Sequence, residues 1–146
     1  MTNSNYLNSL AELEKRFNFE KEEKTKFPFF KLDRTNKLMN LLGNPQNDKS
    51  FTIHIAGTNG KGTVSSIINS IISKNYKTGL LTSPHLKNYT ERIKINGNEI
   101  SEKIFASVHK EVSKKIYRFE KEEGVQFTFF EIITAMAFAI FKKEGV

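Results

Sequence analysis

The chain has no cysteine and no tryptophan, and only three prolines in 146 residues. Without cysteine there is no disulfide scaffold, thiolate-ligated zinc, iron–sulfur centre or thiol catalysis. Long apolar runs are missing too: the most apolar stretch, 127–141, is too short to span a bilayer and carries Glu131. The opening residues, MTNSNYLNSLAELEKRF, do not have the basic-then-apolar layout of a signal peptide. Arginine is scarce. Only four of the 23 basic residues are Arg (Arg16, Arg34, Arg92, Arg118), although the formal net charge is +7. Nucleic-acid readers rely on arginine forks and clustered basic faces. Here lysine alternates with glutamate over 20–26 and 110–123, the pattern of solvated helix faces. A globular cytoplasmic protein is expected, engaging neither nucleic acid nor membrane, with a mild positive field suited to anionic small molecules.

Hydrophobic spacing sets out the elements. Tyr6, Leu7, Leu10, Leu13 and Phe17 predict an amphipathic helix over 5–18. A charged stretch, 18–31, closes on Phe27-Pro28-Phe29-Phe30, where Pro28 holds Phe27 extended. Asp33 is the expected N-cap of a second helix running through Leu42 and ended by Gly43 and Pro45. The β-branched run 51–56 lacks alternation, as a buried parallel strand does. After the glycine-rich loop 57–62, Val64, Ile67, Ile68, Ile71 and Ile72 mark one helix face, and 78–82 reads as the next strand. Together these predict a right-handed βαβ unit. Asn96-Gly97 between Arg92–Ile95 and Asn98–Ile100 is a hairpin signal.

Ser101 can cap a long helix with Ile104, Phe105, Val108, Val112, Ile116 and Phe119 inward, stopped by Gly124. Thr128 can cap a last helix, 129–143, stopped by Gly145. That last helix is apolar on nearly every face, so it must be buried on most sides. Two strands and a hairpin do not supply such cover. The expectation is therefore an N-terminal piece of a longer α/β protein, marginal in isolation, with this helix exposing apolar surface.

The segment Ala56-Gly57-Thr58-Asn59-Gly60-Lys61-Gly62-Thr63 carries the chemistry. Glycines let backbone amides turn toward a phosphate, and the following helix aims its N-terminal dipole at the same point. Lys61 adds a mobile cation, and the Thr63 hydroxyl can reach a phosphate or its Mg²⁺. The spelling departs from the usual phosphate loop, with Ile55 and Gly62 in place of the first Gly and the Ser/Thr after Lys. The other reading is a glycine turn with an exposed lysine. Between a buried strand and an apolar helix, an ATP- or GTP-binding loop is the better account.

The variant spelling, preceded by His54-Ile55-Ala56-Gly57, resembles the ATP loop of the Mur ligase superfamily, and more narrowly that of dihydrofolate synthase/folylpolyglutamate synthase. Further segments agree in order: Leu32-Asp33-Arg34 with Leu41–Gln46, Ser83-Pro84-His85-Leu86, Tyr89–Ile93, Ile95-Asn96-Gly97, and Thr128-Phe129-Phe130-Glu131. The resemblance covers roughly residues 28–146 and departs at Lys31, where the family usually has Gly. It implies an α/β chain holding part of a parallel-sheet, phosphate-loop ATP-binding domain with an inserted β-hairpin, truncated before the remaining strands. Residues 1–49 would be a helical opening segment and 50–146 would hold the phosphate loop, substrate loop and helices. A C-terminal glutamate-binding domain would be absent.

The activity so implied is ATP-dependent addition of L-glutamate to dihydropteroate and/or tetrahydrofolate through an acyl phosphate. The parent enzyme is expected to be a monomer using ATP and Mg²⁺, with the isolated piece inactive. By the same resemblance Thr58, Asn59, Gly60, Lys61, Gly62 and Thr63 bind ATP, with Lys61 the catalytic cation, and Ser83 is a Mg²⁺ ligand. Thr128, Phe129, Phe130, Glu131, Phe30 and His85 line the pterin or folate site. Each has a plainer reading. Ser83-Pro84 starts turns, Thr128-x-x-Glu131 is a capping box, Phe30 suits a core, and Arg92 is either a carboxylate holder or a solvated hairpin residue. His54, in a strand, and His109, on a helix, are expected to be structural. Two other functions stay open: a nucleotide-binding module without ligase activity, and a Mur ligase acting on cell-wall precursors.

Overall fold

The computed structural model describes residues 4–18, 20, 32–48 and 51–146. The expectations for 21–31, including the extended Phe27 and the substrate candidate Phe30, lie outside these residues. In order, the described elements are α1 (Ser4–Glu14), α2 (Leu32–Leu41), α3 (Lys61–Ile72), β1 (Gly79–Leu81), β2 (Ile93–Ile95), β3 (Asn98–Glu99), α4 (Glu102–Glu123) and α5 (Phe129–Glu144).

Local chemistry sets most boundaries. Ser101 Oγ accepts from the Ile104 amide at 3.2 Å, and Gly124, in the left-handed region, closes α4. Asn96 and Gly97 both have positive φ, the backbone a tight β2–β3 turn requires. Helix α1 ends before the predicted residue 18, in a turn closed by the Arg16 amide on the Leu13 carbonyl at 3.0 Å. Asp33 is not an N-cap: Leu32 is already helical, and Asp33 sits in the first turn of α2, where its charge still favours the helix dipole.

Helix α5 is the centre of the core. Phe129, Ile132, Ile133, Ala135, Met136, Ala137 and Ile140 are all buried, with α2, α4 and β1 packed around the helix and α1 against α4. The expected exposed apolar face of this helix is therefore largely covered, with Phe130 at 36% exposure the exception. Gly79 of β1 brings the sheet onto it: a Cβ at that position would lie 2.5 Å from the Phe141 ring.

The sheet corrects the expected topology. It is three-stranded and antiparallel in the order β1-β2-β3, with Gly79 opposite Ile95, Leu81 opposite Ile93, and Lys94 opposite Glu99. Residues 51–56 form no strand; Phe51 is 91% exposed. The βαβ unit and parallel sheet are thus not formed among the described residues. A strand exists only through a paired neighbour; β1 pairs along one edge, with β2, and 51–56 pairs with no strand among the described residues. The turn from the hairpin ties the same edge, with the Asn96 amide on Thr78 O at 2.9 Å and Thr78 N on Asn96 Oδ1 at 2.8 Å.

Helix α3 is only partly covered: Val64, Ile67 and Ile71 are exposed, Ile68 and Ile72 are half-buried, and its one buried residue is Asn69. His54 lies exposed in 51–56 instead of inside a strand, and Ile104 of α4 is more exposed than its inward spacing predicts.

Candidate nucleotide and substrate site

Gly60 stands at the N-cap of α3 in the left-handed region, without a side-chain cap. Gly57 also has positive φ, and Cβ atoms at Gly60 and Gly62 would meet nothing within 4 Å. The loop is therefore an open backbone turn with the first amides of α3 presented outward, the geometry that favours an anion. Lys61 Nζ folds back onto the loop, donating to Gly57 O at 2.6 Å and Thr58 O at 3.2 Å. The loop is held by its own atoms: Val64 N returns to Gly60 O at 2.9 Å and Ser65 Oγ to Lys61 O at 2.7 Å. Thr58, Asn59, Gly62 and Thr63 are all exposed.

Ser83 follows β1 and is exposed. Helix α3 packs against β1, the strand that leads into Ser83. His85 belongs to a second assembly. Arg92 Nε donates to His85 Nδ1 at 2.7 Å, and the guanidinium forks onto Glu20 at 3.1 and 2.5 Å. It also lies 4.9 Å from the Phe129 ring centroid. Arg92 is 1% exposed and paired with Glu20 of the same chain, so it is not a solvated hairpin residue. Tyr89 stacks on His85 at 4.2 Å, meets Phe129 edge-on at 5.8 Å and donates to Glu14 at 2.9 Å. Burial, and then the Glu14 carboxylate, push its hydroxyl up to about 12.

The capping box at α5 is present. Glu131 Oε2 accepts from Thr128 N at 2.8 Å and Thr128 Oγ1 at 2.7 Å, while Glu131 N donates to Thr128 Oγ1 at 3.3 Å. Arg34 adds a 3.0 Å ion pair to the same carboxylate and also donates to Gln126 O. Thr128, Phe129 and Glu131 are buried; Phe130, at 36% exposure, is the member of the segment that a flat ring could reach. The structure thus joins His85 to the start of α5 through Arg92 and Tyr89. The phosphate loop makes its bonds within itself.

The sequence reading missed three pieces: the Arg92–Glu20 fork, the Arg34–Glu131 pair and the carboxylate of Glu91. Only the last had a local signal, since Asn88-x-x-Glu91 has capping-box spacing. Glu91 accepts from the amides of Leu86, Lys87 and Asn88, and these, Leu86 first, hold its carboxyl down to about 2.

No family model matches the chain. Among curated proteins it is 37% identical over 124 residues to the dihydrofolate synthase/folylpolyglutamate synthase of Mycobacterium tuberculosis, covering 79% of this chain and 25% of that protein. It is 43% identical over 117 residues to a probable dihydrofolate synthetase of Schizosaccharomyces pombe, covering 79% and 27%. Among solved structures it superposes on folylpolyglutamate synthase from Thermotoga maritima with a TM-score of 0.82 at 34% identity, covering 97% of this chain and 31% of the other. The M. tuberculosis enzyme complexed with ADP gives 0.82 at 32% identity, covering 98% and 30%. An FPGS–AMPPCP–folate complex gives 0.81 at 29% identity, covering 97% and 33%.

The fold, an α/β arrangement with a small antiparallel sheet, therefore matches about a third of each of these folylpolyglutamate synthase structures. In sequence the chain is homologous to the N-terminal part of the dihydrofolate synthase/folylpolyglutamate synthase family, and it spans about a quarter of the length of the curated relatives it matches.

Proposed function

We propose that this chain supplies the ATP loop and part of the pterin or folate pocket of a ligase that adds L-glutamate to dihydropteroate and/or tetrahydrofolate, acting on small molecules in the cytoplasm. The observation that carries the reading is the open N-terminus of α3 with Lys61 folded over the loop carbonyls. A cation so held can swing from Gly57 O and Thr58 O to a phosphate without disturbing the core. ATP fits this donor set of amides, Lys61 and the Thr63 hydroxyl.

Mg²⁺ fits in a narrower sense. Among the described residues no three acidic, His or Cys side chains gather as a metal cage. Mg²⁺ in nucleotide sites draws most of its oxygens from phosphates and water, so the hydroxyls of Ser83 and Thr63 would be its protein contribution. When bound, the ion neutralises charge on the phosphate oxygens. The chain's own work is to orient the nucleotide by the loop amides, to balance charge through Lys61, and to present Phe130 and His85 toward the folate.

Titration calorimetry of ATP with Mg²⁺ into this chain tests the reading. Binding is expected, and Lys61→Ala should weaken it by about 10- to 100-fold, the worth of one charge-assisted hydrogen bond. The melting temperature should not move, since the Lys61 side chain is exposed. Undiminished affinity in the variant would refute the reading. The chain's quarter-length match favours a second reading, a nucleotide-binding module without ligase activity; glutamate-dependent ADP release by this chain would exclude it.

A further inference from the structure

Residues 85–88 belong to no helix or strand, yet three consecutive amides there are satisfied by one side chain. Glu91 Oε2 accepts from Leu86 N at 2.8 Å, and Oε1 accepts from Lys87 N at 2.8 Å and Asn88 N at 2.7 Å. Bonds from amides to an ionised carboxylate are the strong kind. The next residue, Arg92, reaches the same loop through His85 Nδ1 and is itself fixed by Glu20 and the face of Phe129. Adjacent residues therefore grip one loop at two places, and the second grip runs to the first turn of α5.

We propose that Glu91 is a positioning residue: its carboxylate sets the backbone of the 83–88 loop, and so the direction from which Ser83 and His85 meet a ligand. Arg92 ties that preset loop to the Phe129 end of α5. The part that concerns ligands rests on the ATP-ligase reading; the part that concerns loop shape does not.

Two measurements on Glu91→Gln separate these parts. Glu91 is only partly buried, so its replacement leaves the core intact. In the first, amide hydrogen exchange, Leu86, Lys87 and Asn88 should lose protection by about 10-fold or more, the worth of a charge-assisted bond, while α4 and α5 amides keep theirs. The second is ATP binding titrated against Mg²⁺. The midpoint should rise by about 10-fold, the usual consequence of removing a group that orients a ligand side chain, with ATP affinity at saturating Mg²⁺ little changed. Glu99→Gln is the control, because Glu99 accepts from Thr90 Oγ1 at 3.0 Å whereas the amides of Leu86, Lys87 and Asn88 donate to Glu91; it should move neither readout.

Unchanged protection at 86–88 overturns the proposal. Lost protection with an unchanged Mg²⁺ midpoint overturns positioning and leaves Glu91 a turn former. Failure of the wild-type chain to bind ATP refutes the ligase reading instead, while the exchange data still decide whether Glu91 sets the loop.

Discussion

Replacing Glu131 by Ala removes more than a helix cap. A lost capping contact costs about 1 kcal/mol. Here the carboxylate is also the acceptor for the Thr128 hydroxyl at 2.7 Å and for Arg34 at 3.0 Å, and Thr128 and Glu131 are both buried. Truncation therefore strands donors that cannot all turn to solvent, at about 1–3 kcal/mol for a buried group left without a partner. The expected total is about 3 kcal/mol. For a chain of this length that lowers the melting temperature by roughly 10 °C. Urea unfolding followed by circular dichroism should show the midpoint fall with the slope unchanged. Combining Glu131→Ala with Arg34→Met should cost less than the sum, by about 1 kcal/mol, because both remove the same contact. A loss below about 1 kcal/mol, or strict additivity with Arg34, would show that Glu131 is only a cap and that the shared-acceptor argument is wrong.

Gly79→Ala should destabilise by about 1–3 kcal/mol through overpacking against Phe141, and Phe141→Leu should recover part of that loss; a wild-type melt for Gly79→Ala would deny the close approach. His109 is buried, with Nε2 3.1 Å from Ser113 Oγ and Nδ1 3.9 Å from Glu12. Burial lowers its pKa below 6.5, against the opposing pull of Glu12. The unfolded chain therefore binds this proton more readily, so stability is full above about pH 6.5 and falls as the pH drops below it toward the folded-state pKa. His109→Gln should flatten the urea midpoint between about pH 7.5 and about pH 5.5; an unchanged slope there would remove His109 as its source.

What the sequence made legible follows from the range of the interactions. Ser101, Gly124, Asn96-Gly97 and Thr128-x-x-Glu131 act within four residues, and each does what its spacing predicts. Gly57, Gly60 and Lys61 likewise build their turn locally. Arg92 could not be placed in the same way. Its partner Glu20 is 72 residues away in the chain, and only tertiary packing decides between a solvated arginine and one that is 1% exposed. Arg34 and Glu131 are 97 residues apart and carry no local signature of each other. The strand at 51–56 failed for a related reason: β-branched content states a preference for pairing, whereas the partner is a property of the whole sheet.

The same distinction divides the candidate site. An apolar stripe specifies that a helix face be covered and leaves open what covers it. Helix α5 finds its cover in α2, α4 and β1, whereas much of the α3 stripe stays uncovered, with Ile67 54% and Ile71 61% exposed. The phosphate loop accordingly owes its form to positive φ at Gly57 and Gly60 and to the Lys61 bonds onto its own carbonyls. The loop at 83–88 owes its form to Glu91, Arg92, Glu20 and Phe129, drawn from three separate stretches of chain. A perturbation that loosens the core should therefore disturb the 83–88 loop before the 57–62 loop, because only the former is held by tertiary packing.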